Sequence, residues 1–379
     1  MKISKIFTKK EELTFDDILL LPGKSKIPLE DDYKIDISTW LTKRTKIKIP
    51  IISAGMVSVT EWEMAEVLAR NGGIGAIHSF LTREEQIRQV KKVKKNNLLV
   101  AACVYEGWSD LFNHIKKLYE AKLDVLVIES YHAYNSKLFN IVREIKKRFS
   151  KLDIIVGNVV TKEATEYLCK AGADAIKVGI GSGSHCTTRI VTGFGRPQLS
   201  AIFECYKIAK KFGVPIIADG GIRSTGDIIK ALIFGANAVM IGGLLAGYKQ
   251  SPGKLIIKKG IKYKESFGSC TLNAVNKNTE FKISRIIKIK NFLKNFLLNK
   301  REIKEEFNDF LEEGVGGLIK YKGDVTFLIK DIVKSIKRGL WYAGAMNIKE
   351  LQKKSNFVIV STSTIKENLP AYEILSHLS

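Results

Sequence analysis

Between residues 50 and 242 the chain repeats one unit: a short β-branched or apolar run, a glycine or polar turn, then a stretch with apolar residues at helical spacing. Eight runs carry the pattern, at 50–54, 74–77, 98–104, 124–129, 153–157, 174–179, 214–219 and 237–242. The stretches at 60–71, 82–95, 109–121, 137–149, 161–171, 198–212 and 224–234 read as the helices between them. Several open on Ser or Thr, whose side chains satisfy free N–H groups, and close on glycine, as at Gly172, Gly213 and Gly235. Eight strands alternating with helices predict an α/β fold of the (β/α)8 barrel type rather than an open doubly wound sheet. Such a barrel gathers its site at the C-terminal ends of the strands.

The eighth helix is delayed. After the last run come GGLLAGYKQSPG, a predicted hairpin at 254–264, a turn at Gly268 and a lysine-rich insertion at 276–310, so that only 324–338 can supply the final helix. Within the insertion, Ile286, Ile289, Leu293, Phe296, Leu297, Ile303, Phe307 and Phe310 recur three and four apart, which predicts one or two amphipathic helices. Segment 268–323 is expected to form a flap at the barrel mouth; a lid and a packing insertion both satisfy the pattern. Beyond residue 339 the sequence predicts a closing element with a short strand at 357–361.

Composition adds limits. The 379 residues, 45% hydrophobic, are ample for one large barrel domain spanning 1–379. Five scattered cysteines without a CxxC pair argue against a disulfide framework and for a reducing, cytoplasmic setting. Residues 1–10 lack the apolar core of a secretory signal, and no run reaches 18 apolar residues. The net charge of +23 raises nucleic-acid binding, but the lysines are spread along the chain among apolar residues, which favours solvated helix faces instead. A small anionic ligand suits the same field.

The candidate chemistry centres on KVGIGSGSHCTTRIVTGFGRPQ (177–198), where Gly179, Gly181 and Gly183 let the backbone approach a ligand and Cys186 sits among hydroxyls. Taken alone, that thiol reads equally as a nucleophile and as a small buried filler. Its place just past the sixth run, at the expected mouth, favours the nucleophile. Run seven ends in Asp219-Gly220-Gly221, a carboxylate for sugar hydroxyls beside free glycine N–H groups, and run eight ends in Gly242-Gly243. Ser184, Gly221, Gly242 and Gly243 together could hold a phosphate without a lysine, and Asn158 follows run five at the same mouth.

These residues, with LTFDDILLLP (13–22), IPIISAGM (49–56), GGIGAIH (72–78), VGNVVTKEAT (156–165), EEGVGGLIKYKGDV (312–325) and GAMNIKEL (344–351), resemble the inosine-monophosphate dehydrogenase and guanosine-monophosphate reductase superfamily. The resemblance covers nearly the whole chain except 276–310. It implies that Cys186 attacks C2 of a purine nucleotide to form a thioimidate, with Thr188 and Glu313 moving protons. It assigns Ser53, Met56, Asn158, Ser184, Asp219, Gly221, Gly242, Gly243 and Gly268 to the nucleotide. Glu129, Ser130, Tyr131, Gly179 and Gly181 fall to the nicotinamide cofactor. The main-chain carbonyls of Gly181, Gly183 and Cys186 match a monovalent-cation (K+) loop, and a homotetramer is implied.

Between the two activities, the flap is the discriminator. Dehydrogenases of this superfamily carry an Arg-Tyr pair there, and none occurs between Gly268 and Glu313, where Arg285 and Arg301 stand without such a neighbour. The tandem regulatory (CBS) domains that most dehydrogenases insert have no counterpart near Lys95. The expectation is therefore a GMP reductase, converting GMP to IMP and ammonia with NADPH. The alternatives are an IMP dehydrogenase using NAD, or a nucleotide-binding homologue with altered chemistry. Departures from the family pattern fall at Val57, Ser79, 129–135 and 268–270, mostly on the cofactor side.

Overall fold

In the computed structural model, residues 12–130, 132–269, 271, 274 and 313–368 are described. The eight runs form β1 (Ile51–Ser53), β2 (Ile74–Ile77), β3 (Ala101–Tyr105), β4 (Val125–Glu129), β5 (Asp153–Val159), β6 (Ala175–Val178), β7 (Ile216–Asp219) and β8 (Ala238–Ile241). They are parallel neighbours in that order, and β8 pairs with β1 to shut the ring. Around them run α1 (Trp62–Arg70), α2 (Arg83–Lys94), α3 (Leu111–Glu120), α4 (Ser136–Arg148), α5 (Lys162–Ala171), α6 (Gln198–Ala209), α7 (Thr225–Ile233) and the delayed α8 (Val325–Tyr342). This is the (β/α)8 barrel that the periodicity predicts. Thr82, Thr161 and Ser224 cap their helices as expected, accepting from the N–H groups of Glu85, Ala164 and Asp227. Asn135 caps α4 in the same way. At Gly172, which ends α5, φ is +103°, a conformation that a Cβ would penalise.

Strand alternation divides the core in two. Inward positions carry Ile52, Ile74, Ala76, Ala101, Val125, Val127, Ile155, Ala175, Ile217 and Ala238, which fill the barrel. Outward positions such as Leu126, Ile128, Ile154, Val156, Ile176 and Val239 pack on the helices. Each such Ile, Leu or Val contributes about 1.5–3 kcal/mol by leaving water. A two-stranded ribbon, Thr39–Trp40 with Lys46–Ile47, adds Leu41 and Ile47 to the inner cluster. Its turn is pinned to Asp153, at the start of β5, by Thr42 Oγ1 at 2.5 Å, Arg44 Nε at 2.6 Å and Thr45 Oγ1 at 2.6 Å. The N-terminal end of the barrel is thereby plugged, and the opening is at the other end.

Over that opening lies an antiparallel sheet of β9 (Ile256–Lys258), β10 (Ile261–Phe267) and β11 (Gly316–Lys320). Because Phe267 pairs with Gly316, the sheet brings Gly268 beside Glu313, Gly314 and Val315. The insertion 276–310 and its amphipathic pattern lie outside the described residues. The predicted terminal strand is Asn356–Ile359, and it pairs with Ile18–Leu21. No helix among the described residues is long and apolar enough to cross a membrane.

Candidate active site

The alternation that fills the barrel with apolar side chains ends in a polar layer. Cys103, Glu129, Lys177 and Asp219 hold inward positions at the top of β3, β4, β6 and β7. Lys177, 5% exposed, donates from Nζ to Asp219 Oδ2 at 2.6 Å. Asn158 Nδ2 donates to the same oxygen at 2.9 Å, and Ser79 Oγ donates to Glu129 Oε2 at 3.3 Å. A Cβ on Gly157 would lie 2.6 Å from Lys177 Cβ, so glycine at that register position makes room for the lysine. Burial works against the Lys177 ammonium, but Asp219 and Glu129 outweigh it and raise its pKa. Burial pushes the Glu129 carboxyl up, with Lys177 opposing and Asp219 reinforcing. The Cys103 thiol is driven well above its ordinary value by burial and by Glu129.

Cys186 follows β6 on a loop stitched to the overlying sheet. Its N–H donates to the Gly183 carbonyl at 3.0 Å, Thr187 N–H to Glu313 O at 2.9 Å, and Val315 N–H to His185 O at 2.9 Å. Cys103, Cys169 and Cys205 are buried, and Cys186 is the one partly exposed cysteine among those described. Burial holds the other two thiols neutral, Cys169 at about 11 and Cys205 at about 12. Exposure, then, separates the candidate nucleophile from the fillers. Cys186 Sγ lies 3.1 Å from Thr188 Oγ1.

Two lobes of one cavity meet at that sulfur. The first, about 320 Å³, is lined by Ser184, Gly220, Gly221, Gly242, Gly243 and Gly268 together with Asp219. It is a backbone cradle: a Cβ on Gly243 would come 2.8 Å from Ser184 Oγ, and one on Gly242 would come 2.9 Å from Met56 Sδ. The second lobe, about 470 Å³, is lined by Phe80, Tyr105, Trp108, Glu129, Ser130, Asn158 and Thr188. Met56, Gly181, Cys186, Asp219 and Glu313 border both. Trp108 is held from behind: the Arg83 guanidinium stacks 3.3 Å from its ring centroid and bonds Asp110 at 3.1 Å. His114 packs edge-on at 5.6 Å, and burial lowers that histidine to about 4, so it is neutral there.

Of the residues singled out in the sequence, Met56, Ser184, Asp219, Gly221, Gly242, Gly243 and Gly268 gather in the first lobe. Asn158, Glu129, Ser130, Gly179 and Thr188 line the second. Ser53 lines neither; it is fully buried and its hydroxyl is bonded to Thr60 Oγ1 at 2.8 Å, so it braces β1 instead. Tyr131 lies outside the described residues. Sequence reasoning missed Lys177, Phe80, Tyr105 and Trp108. Lys177 carried a signal, a charge at an inward position of a strand, whereas Trp108 stands in an irregular turn with no periodicity to read.

Residues 12–371 match the family model described as the IMP dehydrogenase / GMP reductase domain. Relatives from Cryptosporidium parvum, Borreliella burgdorferi and Methanocaldococcus jannaschii are 38%, 34% and 33% identical. They cover 94%, 95% and 98% of this chain and 94%, 97% and 97% of their own lengths. All three are inosine-5′-monophosphate dehydrogenases. They correct the expectation of an NADPH-dependent GMP reductase. That expectation leaned on a missing Arg-Tyr dipeptide and on missing regulatory domains; two side chains need not be adjacent in sequence to act together, and Arg285 and Arg301 lie outside the described residues. With a barrel of the right topology and a matched domain over nearly its whole length, this oxidoreductase chain belongs to the IMP dehydrogenase / GMP reductase family.

Proposed function

We propose that the protein is an NAD-dependent IMP dehydrogenase that converts IMP to XMP by covalent catalysis at Cys186. The observation that carries this reading is the junction itself: a partly exposed cysteine where a glycine-built anion cradle meets a lobe walled by aromatic side chains. Full-length similarity to dehydrogenases supports the choice of reaction.

In this reading the nucleotide phosphate lies against Ser184 and the glycines of β7 and β8, and Asp219 accepts ribose hydroxyls. The Cys186 sulfur attacks C2. Its proton passes to Thr188 Oγ1, 3.1 Å away, and onward to Glu313, whose carbonyl holds the loop through Thr187 N–H. The second lobe fits a nicotinamide dinucleotide by its donor set: the Glu129 carboxylate and Ser130 hydroxyl suit ribose, and the braced Trp108 ring offers a flat apolar face. NAD held there by Glu129, Ser130 and Trp108 would supply the acceptor for the hydride on C2. Water then adds to C2 of the thioimidate, giving one proton to N3 and the other to solvent; the C–S bond breaks, XMP leaves, and the proton on the relay returns to the thiolate.

The carbonyls assigned to a monovalent cation are not all free, because that of Gly183 accepts the Cys186 N–H at 3.0 Å. A carbonyl oxygen keeps a second lone pair, so the set can still hold a cation, and no step passes through one. Mixing the purified protein with IMP and NAD should generate NADH. Oxidation of NADPH with GMP, and no NADH from IMP, would overturn the assignment.

A further inference from the structure

One polar group at the mouth has no part in the mechanism above. His185, between the cradle serine and the nucleophile, makes two side-chain hydrogen bonds. Its Nδ1 lies 3.2 Å from Ser184 Oγ and its Nε2 lies 2.9 Å from Ser266 Oγ. Ser266 belongs to β10 and is 4% exposed, so its hydroxyl is shielded from water. The ring is half-buried and borders the phosphate cradle. It therefore adds a side-chain tie, from the exposed end of the cysteine loop to the buried face of the overlying sheet, beside the main-chain bonds that already join the two.

We propose that His185 is a positioning residue that fixes the Ser184 hydroxyl as a hydrogen-bond donor to the phosphate of the nucleotide. The argument is one of donor count. A neutral imidazole carries one N–H and one acceptor nitrogen, and among the described residues His185 Nε2 is the one hydrogen-bond partner of the Ser266 hydroxyl. A buried Ser266 hydroxyl donates to the acceptor, Nε2, which leaves the proton on Nδ1. Nδ1–H then donates to Ser184 Oγ and occupies its lone pair. The serine proton is turned away from the imidazole, toward the gap over Gly243 that a side chain would fill. A serine in water can rotate freely; this one is set before the anion arrives, which spares the ordering cost on binding.

The inference rests on the nucleotide reading of the cradle, so the test separates the two. Affinity for IMP is measured by calorimetry on the full chain, alongside turnover with NAD. His185→Leu should weaken IMP by about tenfold and raise KM for IMP alike, with kcat and KM for NAD within about twofold. His185→Asn, whose amide nitrogen can replace Nδ1–H, should recover most of the loss. His185→Gln, which reaches only toward Ser266, should not. In a Ser184→Ala background His185→Leu should add nothing, because its effect passes through the serine. Ser266→Ala, which leaves the loop untouched, provides a second route to the same loss should His185→Leu fold poorly. Unchanged IMP affinity in His185→Leu, additive losses in the double variant, or equal losses with Asn and Leu would each overturn the proposal while the nucleotide site stands. If wild-type protein binds no IMP, the reading of the cradle fails first.

Discussion

The two lobes of the cavity are built by different means. The first lobe, proposed for the nucleotide, is mostly backbone: glycines after β7 and β8 and a serine on the cysteine loop surround it, and what it offers is N–H groups and shape. The second lobe, proposed for the cofactor, is mostly side chain: Phe80, Tyr105, Trp108, Glu129 and Ser130 come from irregular turns and strand ends, and several are braced by neighbours behind them. A backbone site can be damaged by adding an atom, whereas a side-chain site is damaged by removing one. The polar layer of Lys177, Asp219 and Glu129 lies under both, and Cys186 stands at the border.

Substitutions can break that division of labour in order of severity. Cys186→Ala should lower kcat on the order of a million-fold, to assay background, while IMP still binds in calorimetry. Retained turnover would remove the junction from the mechanism. Lys177→Met should cost about 3–5 kcal/mol of stability, read from denaturant midpoints, since it strands two carboxylates under both lobes at once. Thr188→Val should reduce kcat by about 10²-fold with KM for IMP little changed. Trp108→Ala should raise KM for NAD about tenfold and leave KM for IMP within about twofold. A shift in IMP affinity would show that the lobes are not separate.

The mildest expected effect depends on pH. Because Glu129 titrates above the ordinary carboxylate range, the folded state binds its proton more readily than the unfolded chain does. Stability therefore falls as pH rises from the ordinary range through the raised value. Glu129→Gln removes that slope: its Tm should exceed that of wild type at pH 7, with the difference vanishing below the ordinary carboxylate range. An advantage that persists in acid would point to packing instead.

The same contrast explains what could be read from the sequence. The barrel was legible because its periodicities are strict, and the strand ends fell within a few residues of their expected places, as at 74–77 for β2. The gathering of Ser184, Gly221, Gly242 and Gly243 in one lobe was legible because they fall at strand ends of one barrel mouth, although singly each glycine reads as a turn. Trp108 was not, since its role depends on Arg83 and His114 arriving from two other helices. Ser53 was placed in the site although the neighbour that claims its hydroxyl, Thr60, is seven residues on. The choice between reductase and dehydrogenase was lost because a dipeptide was used to represent a spatial arrangement.

The ribbon that seals the N-terminal end of the barrel has one more consequence. With Leu41 and Ile47 packed into the interior from below, the protein is a vessel with a single rim. In the proposed reaction, nucleotide, dinucleotide, water and both products would share the edge formed by the cysteine loop and the sheet above it, so each departure would have to clear the way for the next.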